Sequence, residues 1–263
     1  MKATLANVCA WLLTVLMAGA ATAQVGEWGD APESALAYPA TGVMGAFPTC
    51  QNIGPAAWIY HGPLCWAFFG PSCDFEIEGN AGMCPLFNPY DMDECFADGD
   101  AGLLVPQAFT IVGVNVLPCI GFANALGAIC SPAMWGPNVD IQVTNTMPVT
   151  GYVNVLLDWD QNGMWGGAPP CPNGPAPEHA LVDFPVPIGF SGPLSALMPP
   201  GFLIGPNPGY VWCRFSITER PVGPNWNGAG TFEDGESEDY LLYVDASVEI
   251  KRHSWGMIKG TYR

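Results

Sequence analysis

Residues 151–159 read Gly-Tyr-Val-Asn-Val-Leu-Leu-Asp-Trp, and they decide the fold class. Val153 and Val155 alternate with Tyr152 and Asn154, the two-residue period of a strand with one buried face. Working outward, Gln107–Val116, Val139–Thr146, Tyr210–Thr218 and Asp239–Val244 share the richness in β-branched residues. Gly- and Pro-rich segments separate them, drawn from 32 Gly and 27 Pro. No stretch beyond the first residues carries a capped helical period, although Asn124–Ile129 has room for a turn or two. Short strands separated by turn signals predict an all-β fold, an antiparallel β-sandwich of jelly-roll or immunoglobulin-like type. The sandwich is expected over 107–246. Residues 24–106 are expected to form a loop-rich, acidic, disulfide-stapled N-terminal region.

The charge balance is one-sided. The chain carries 24 Asp and Glu against seven Lys and Arg, a formal net charge of −17. Apolar residues make up 49%, enough to bury a core, so the chain is not intrinsically disordered. No basic surface exists to neutralise phosphates, which excludes nucleic acid as a partner. Between Lys2 and Arg214 there is no Lys or Arg at all. Carboxylates in that interval must face water, accept hydrogen bonds or bind cations.

Residues 1–23 read as a secretory signal peptide: Lys2, an apolar run over 10–18, and an Ala21-Thr22-Ala23 cleavage site. No other segment is long and apolar enough to predict a membrane span. Of ten cysteines, Cys9 leaves with the signal. The rest predict disulfides in an oxidising compartment, with one thiol left over because their number is odd. Residues 247–263 hold four of the seven basic residues and one acid, and read as a basic tail.

Three acidic constellations are candidate sites. In Asp158-Trp159-Asp160-Gln161-Asn162-Gly163-Met164, oxygen-bearing side chains alternate and then meet a glycine. A hard cation such as Ca2+ takes six to eight oxygens, and a tight loop can aim such groups inward. Pro169 stands where an EF-hand has its closing Glu, so the segment is not an EF-hand; an Asx turn fits equally well. In Phe232-Glu233-Asp234-Gly235-Glu236-Ser237-Glu238-Asp239-Tyr240, five carboxylates crowd residues 233–239, as a solvated turn or as a cation site. Asp74, Glu76 and Glu78 alternate, and Asp98-Gly99-Asp100 forms an acidic turn, with the same two readings. His61, His179 and His253 are scattered and belong to no recognisable nucleophile motif.

Several motifs together resemble the GEVED-domain family of secreted bacterial proteins. Gly235-Glu236-Ser237-Glu238-Asp239-Tyr240 resembles its acidic signature, with Ser237 in place of Val. Trp28-Gly29-Asp30-Ala31-Pro32-Glu33-Ser34 resembles the opening found upstream of such domains. Asp158–Gly163 and Cys213-Arg214-Phe215-Ser216 resemble two internal segments, the second lacking its first Arg. The resemblance implies an extracellular β-sandwich module with no assigned enzymatic activity. The missing Arg leaves more negative charge to be offset by metal.

The sequence therefore predicts a non-catalytic secreted or cell-surface module, stabilised by calcium and serving adhesion or structural contacts. Its partners would be extracellular matrix, a glycan or a surface protein. The expected ligands are Asp158, Asp160, Asn162 and the carbonyl of Met164, with Glu236, Glu238 or Asp239 closing the shell. Two alternatives stand beside it: a carbohydrate-binding module presenting a planar row of Trp, and a glycan hydrolase using paired carboxylates.

Overall fold

The computed structural model describes residues 25–51, 56–79, 84, 101–120 and 124–246. The expected signal peptide, the basic tail and the Asp98-Gly99-Asp100 turn lie outside them. The main strands are β1 (Glu33–Tyr38), β2 (Val43–Ala46), β3 (Ile59–His61), β4 (Ala67–Phe69), β5 (Leu103–Val105), β6 (Phe109–Val112) and β7 (Asn115–Pro118). They continue as β8 (Asp140–Asn145), β9 (Gly151–Leu157), β10 (His179–Val186), β11 (Phe190–Pro193), β12 (Gly209–Thr218), β13 (Gly230–Phe232) and β14 (Gly235–Asp245).

The larger sheet runs β10-β9-β12-β14-β6-β7, and these six strands pair antiparallel. Where a helical turn was conceivable, Gly127–Ala128 instead pairs with Val244 and Asp245 at the edge of this sheet. The second sheet runs β11-β8-β4, with β5 also on β8. Strands β4 and β5 precede residue 107, so the sandwich draws on the N-terminal region as well as on 107–246.

Alternation along each strand builds the core. Val211, Cys213, Phe215 and Ile217 of β12 and Tyr240, Leu242 and Val244 of β14 face Phe69, Ile141 and Val143 of the second sheet. The intervening residues are buried too. Leu156, Trp212 and Leu241 project from the opposite face and meet Ala31, Tyr38, Phe47, Ile59 and Phe232. The N-terminal segment thus lies across the outer face of the large sheet as a third layer. This is why β12 and β14 are buried along nearly their whole length.

One charged pair inside that third layer is fully matched. Arg214, fully buried, donates to Asp239, to the carbonyls of Pro48 and Gly228, and to Thr49 Oγ1. Asp239 Oδ2 also accepts the amides of Asp30 and Ala31, each at 2.8 Å. Gly29 is required by this contact: a Cβ there would lie 2.1 Å from Arg214 Nη2.

Disulfides join Cys50 to Cys84 and Cys65 to Cys73 in the N-terminal region, and Cys130 to Cys171 in the sandwich. Cys119 is also disulfide-bonded, and Cys213 is the buried free thiol among the described residues. Such cross-links fit an oxidising compartment. No helix among the described residues is long and apolar enough to cross a membrane.

Candidate metal centre

Strand β9 ends at Leu157, whose amide donates to the carbonyl of Glu178 at the start of β10. This pairing sets Glu178 beside Asp158 and Asp160. One ligand oxygen from each of the three lies within 4.8 Å of the others. Asp158 and Glu178 are buried, and Asp160 is exposed. Like charges this close repel, and no Lys or Arg is paired with any of them among the described residues.

Backbone amides orient the three carboxylates. Asp158 Oδ2 accepts the Gly163 amide and the Tyr38 hydroxyl, each at 2.8 Å, and its Oδ1 accepts the Asn162 amide at 3.1 Å. Glu178 Oε2 accepts the amides of Gly166 and Gly167 at 2.9 and 2.7 Å, while its Oε1 takes the Asp160 amide at 3.3 Å. A carboxylate oxygen has two lone pairs. Oδ2 of Asp158 and Oε2 of Glu178 are therefore saturated. Oδ1 of Asp158 and Oε1 of Glu178 each keep one lone pair, as do both oxygens of Asp160. Those are the atoms able to ligate a cation. Gly163 permits the turn at φ +85°, where a Cβ would lie 2.5 Å from the Met44 carbonyl.

Burial dominates the electrostatics. It pushes the Asp158 carboxyl up to about 7 against the opposing hydrogen bonds from Tyr38 and Gly163. Burial and the charge of Asp160 raise Glu178. Burial and the Asp158 charge likewise hold the Tyr38 hydroxyl well above its ordinary range. The unbound site resists full ionisation, and a divalent cation would remove that resistance. All-oxygen donors suit a hard cation.

The structure brings together only part of the expected ligand set. Asp158 and Asp160 stand in the cluster. Asn162 sits in an Asx turn beside them: its Nδ2 donates to Asp160 Oδ2, and its Oδ1 accepts the Met164 amide and keeps a second lone pair. Glu236, Glu238 and Asp239 are elsewhere, because β12 lies between β9 and β14. Val153 of β9, Ile217 and Glu236 share one register row, which puts Asp158 five residues further along, or about 16 Å. These acids are not solvated either. The Glu236 carboxylate accepts the Phe69 amide, Glu238 accepts the Tyr240 hydroxyl and Asp239 is paired with Arg214. The offset assigned to metal at this end of the chain is thus supplied by hydrogen bonds and one Arg. Glu76 Oε2 accepts the Trp28 amide, Asp74 Oδ1 accepts the Phe75 amide, and Glu78 is buried. Of these and the other acids, Asp158, Asp160 and Glu178 are the one such grouping among the described residues.

Glu178 did not stand out in the sequence. A signal for it exists: it is the one acid between Asp160 and Asp183, at the return of a long excursion to the sheet. In an antiparallel pair, that return meets the end of the preceding strand.

His61 Nε2 lies 2.9 Å from Ser237 Oγ, a Ser–His contact, but both side chains are buried. Burial holds the imidazole near a pKa of about 3, so it is neutral. Scans of family models, curated proteins and solved structures return no match to this chain.

Proposed function

We propose that the chain is a non-catalytic, secreted or surface-exposed β-sandwich module whose fold is tightened by a divalent cation, calcium, at Asp158, Asp160 and Glu178. The observation that carries the cation reading is the cluster itself: three carboxylates share one pocket of oxygens without a basic partner. The role would be extracellular adhesion or structural contact, through loops held rigid by disulfides and the ion. The likeness to GEVED domains is part of this reading. Its support is that the 28–34, 213–216 and 235–240 motifs interlock, with Asp30 and Ala31 amides and the Arg214 guanidinium converging on Asp239.

The planar-platform form of the carbohydrate reading lacks support. Trp28, Trp135, Trp159, Trp165, Trp212 and Trp226 are buried, and no row of exposed Trp remains among the described residues. The decisive test is a thermal melt in EGTA against millimolar Ca2+. A ligand that binds only the folded state raises the midpoint. At a concentration of 100 times Kd the rise should be roughly 5–10 °C for a chain of this length. An unchanged midpoint removes the cation from the proposal.

A further inference from the structure

A cleft opens on the outer face of the large sheet, between the β6–β7 hairpin, the turn after β1 and the start of β12, with a volume of about 560 Å³. Its apolar lining comes from Tyr38, Leu117 and Tyr210, and its polar tips from Thr41, Asn115 and Gln161. A concave site of this size, mostly apolar with a few convergent polar groups, is the usual form of a small-ligand pocket.

The lining chooses the ligand. Among the described residues no charged side chain borders the cleft. No Lys or Arg occurs from residue 3 to residue 213, so an anion would find no counter-charge there. No carboxylate lines the cleft either, so a cation finds no ion-pair partner in its wall. A wholly apolar ligand would strand the polar tips without partners. What remains is a neutral molecule with both C–H faces and hydroxyl groups.

The polar wall is held in place. Gln161 stands at φ +59°, a conformation that side-chain-bearing residues adopt at a cost and that gathers at ligand sites. Its Nε2 donates to the Pro208 carbonyl at 3.2 Å, which turns Oε1 into the acceptor on offer. Tyr210 is fixed by Phe109 and Tyr243, whose ring centroids lie 5.0 and 5.2 Å from its own. A rigid aromatic face beside fixed amide and hydroxyl groups is the chemistry that recognises a sugar ring.

We infer that this cleft binds an uncharged saccharide, with Tyr210 as stacking platform and Gln161 as hydrogen-bonding anchor. The inference goes beyond the cation reading and does not need the ion.

The test is an array of immobilised neutral, sialylated and sulfated oligosaccharides together with apolar peptides. Calorimetry then follows on the strongest hit, using the full chain. The expected result is selective binding of a neutral oligosaccharide. Tyr210→Ala should weaken it roughly tenfold, the size of one lost aromatic contact. Because Tyr210 also packs on its neighbours, Gln161→Ala is the second variant; it should weaken binding several-fold while leaving the melting midpoint unchanged. Met198→Ala, at a distant exposed site, should bind like the parent. Failure of every neutral saccharide, preference for anionic glycans or peptides, or binding indifferent to both cleft variants would each overturn the inference.

Discussion

Arg214 and Asp239 face one another between the large sheet and the N-terminal layer, and neither side chain reaches solvent. The pair is tied on one side to the amides of Asp30 and Ala31 and on the other to the carbonyls of Pro48 and Gly228. Removing one partner leaves a buried charge uncompensated, which costs about 3–5 kcal/mol. Asp239→Ala should lose that much in urea unfolding. The double variant Arg214→Met with Asp239→Leu should lose less than the sum of the two single changes. A loss below about 1 kcal/mol for Asp239→Ala would mean the contact is not made.

Tyr38 stitches the same layer to the candidate metal loop. Its hydroxyl donates to Asp158 and accepts the Trp212 amide at 3.1 Å. Tyr38→Phe leaves the Trp212 amide and one carboxylate lone pair unserved, at about 1–3 kcal/mol. Equilibrium unfolding of the variant against the parent reads this directly, and a neutral result would show that water replaces the hydroxyl.

The ligand set is separable from the acidic signature. Glu178→Gln should abolish the Ca2+-dependent rise in melting midpoint. Glu236→Gln, on a strand two removed from β9, should keep it. The reverse pattern would return the acids of β14 to the metal site.

His61 and Glu27 give the pH dependence two opposing components. The His61 ring drops from an ordinary 6.5 to about 3, mainly through burial. Between those values the unfolded chain holds the extra proton, so stability falls as pH falls. Glu27 is raised above 4.5 by burial and then by the charges of Glu236 and Glu76. There the folded chain holds the extra proton, so stability falls as pH rises above 4.5. His61→Gln should keep the second component and lose the first. Its unfolding free energy below pH 6.5 should decline less steeply than the parent's, by up to about 1.4 kcal/mol per pH unit. Identical slopes would show that the ring is not a buried neutral base.

Cys213 offers a count. Burial first, and the charge of Asp239 second, hold its thiol well above the usual range. A thiol reagent should find about no reactive Cys213 in the native protein, and should label it once denaturant exposes β12. Rapid labelling of the native chain would place Cys213 at the surface.

The strands were legible where their residues alternate or run apolar. Gly151–Trp159 and Tyr210–Thr218 correspond to β9 and β12 within a residue or two. Gln107–Val116 read as one strand but is a hairpin, because Gly113 and Val114 turn it back as β6 and β7. The acidic stretch 235–239 read as a solvated turn or a cation site and is the first half of β14. Composition could not reveal that, since burying Glu236, Glu238 and Asp239 depends on amides and an Arg from distant segments. The third layer was hidden for a related reason. The N-terminal segment has few alternations of its own, and much of its packing is against the face of β12 and β14.

The N-terminal layer has a consequence for how the chain reaches its native state. The amides of Asp30 and Ala31 bond a carboxylate 209 and 208 residues away, and the Glu27 carboxylate bonds Ser237 across 210. Glu27, Asp30 and Ala31 lack these partners until β14 exists. Closure over so many residues carries an entropy cost that only finished partners repay, so folding should be slow and should end with the N-terminal layer. Until then the outer apolar face of the large sheet stands open to water and to other chains. A truncation within β14 would therefore also take away the partners of Glu27, Asp30 and Ala31 at the other end of the fold.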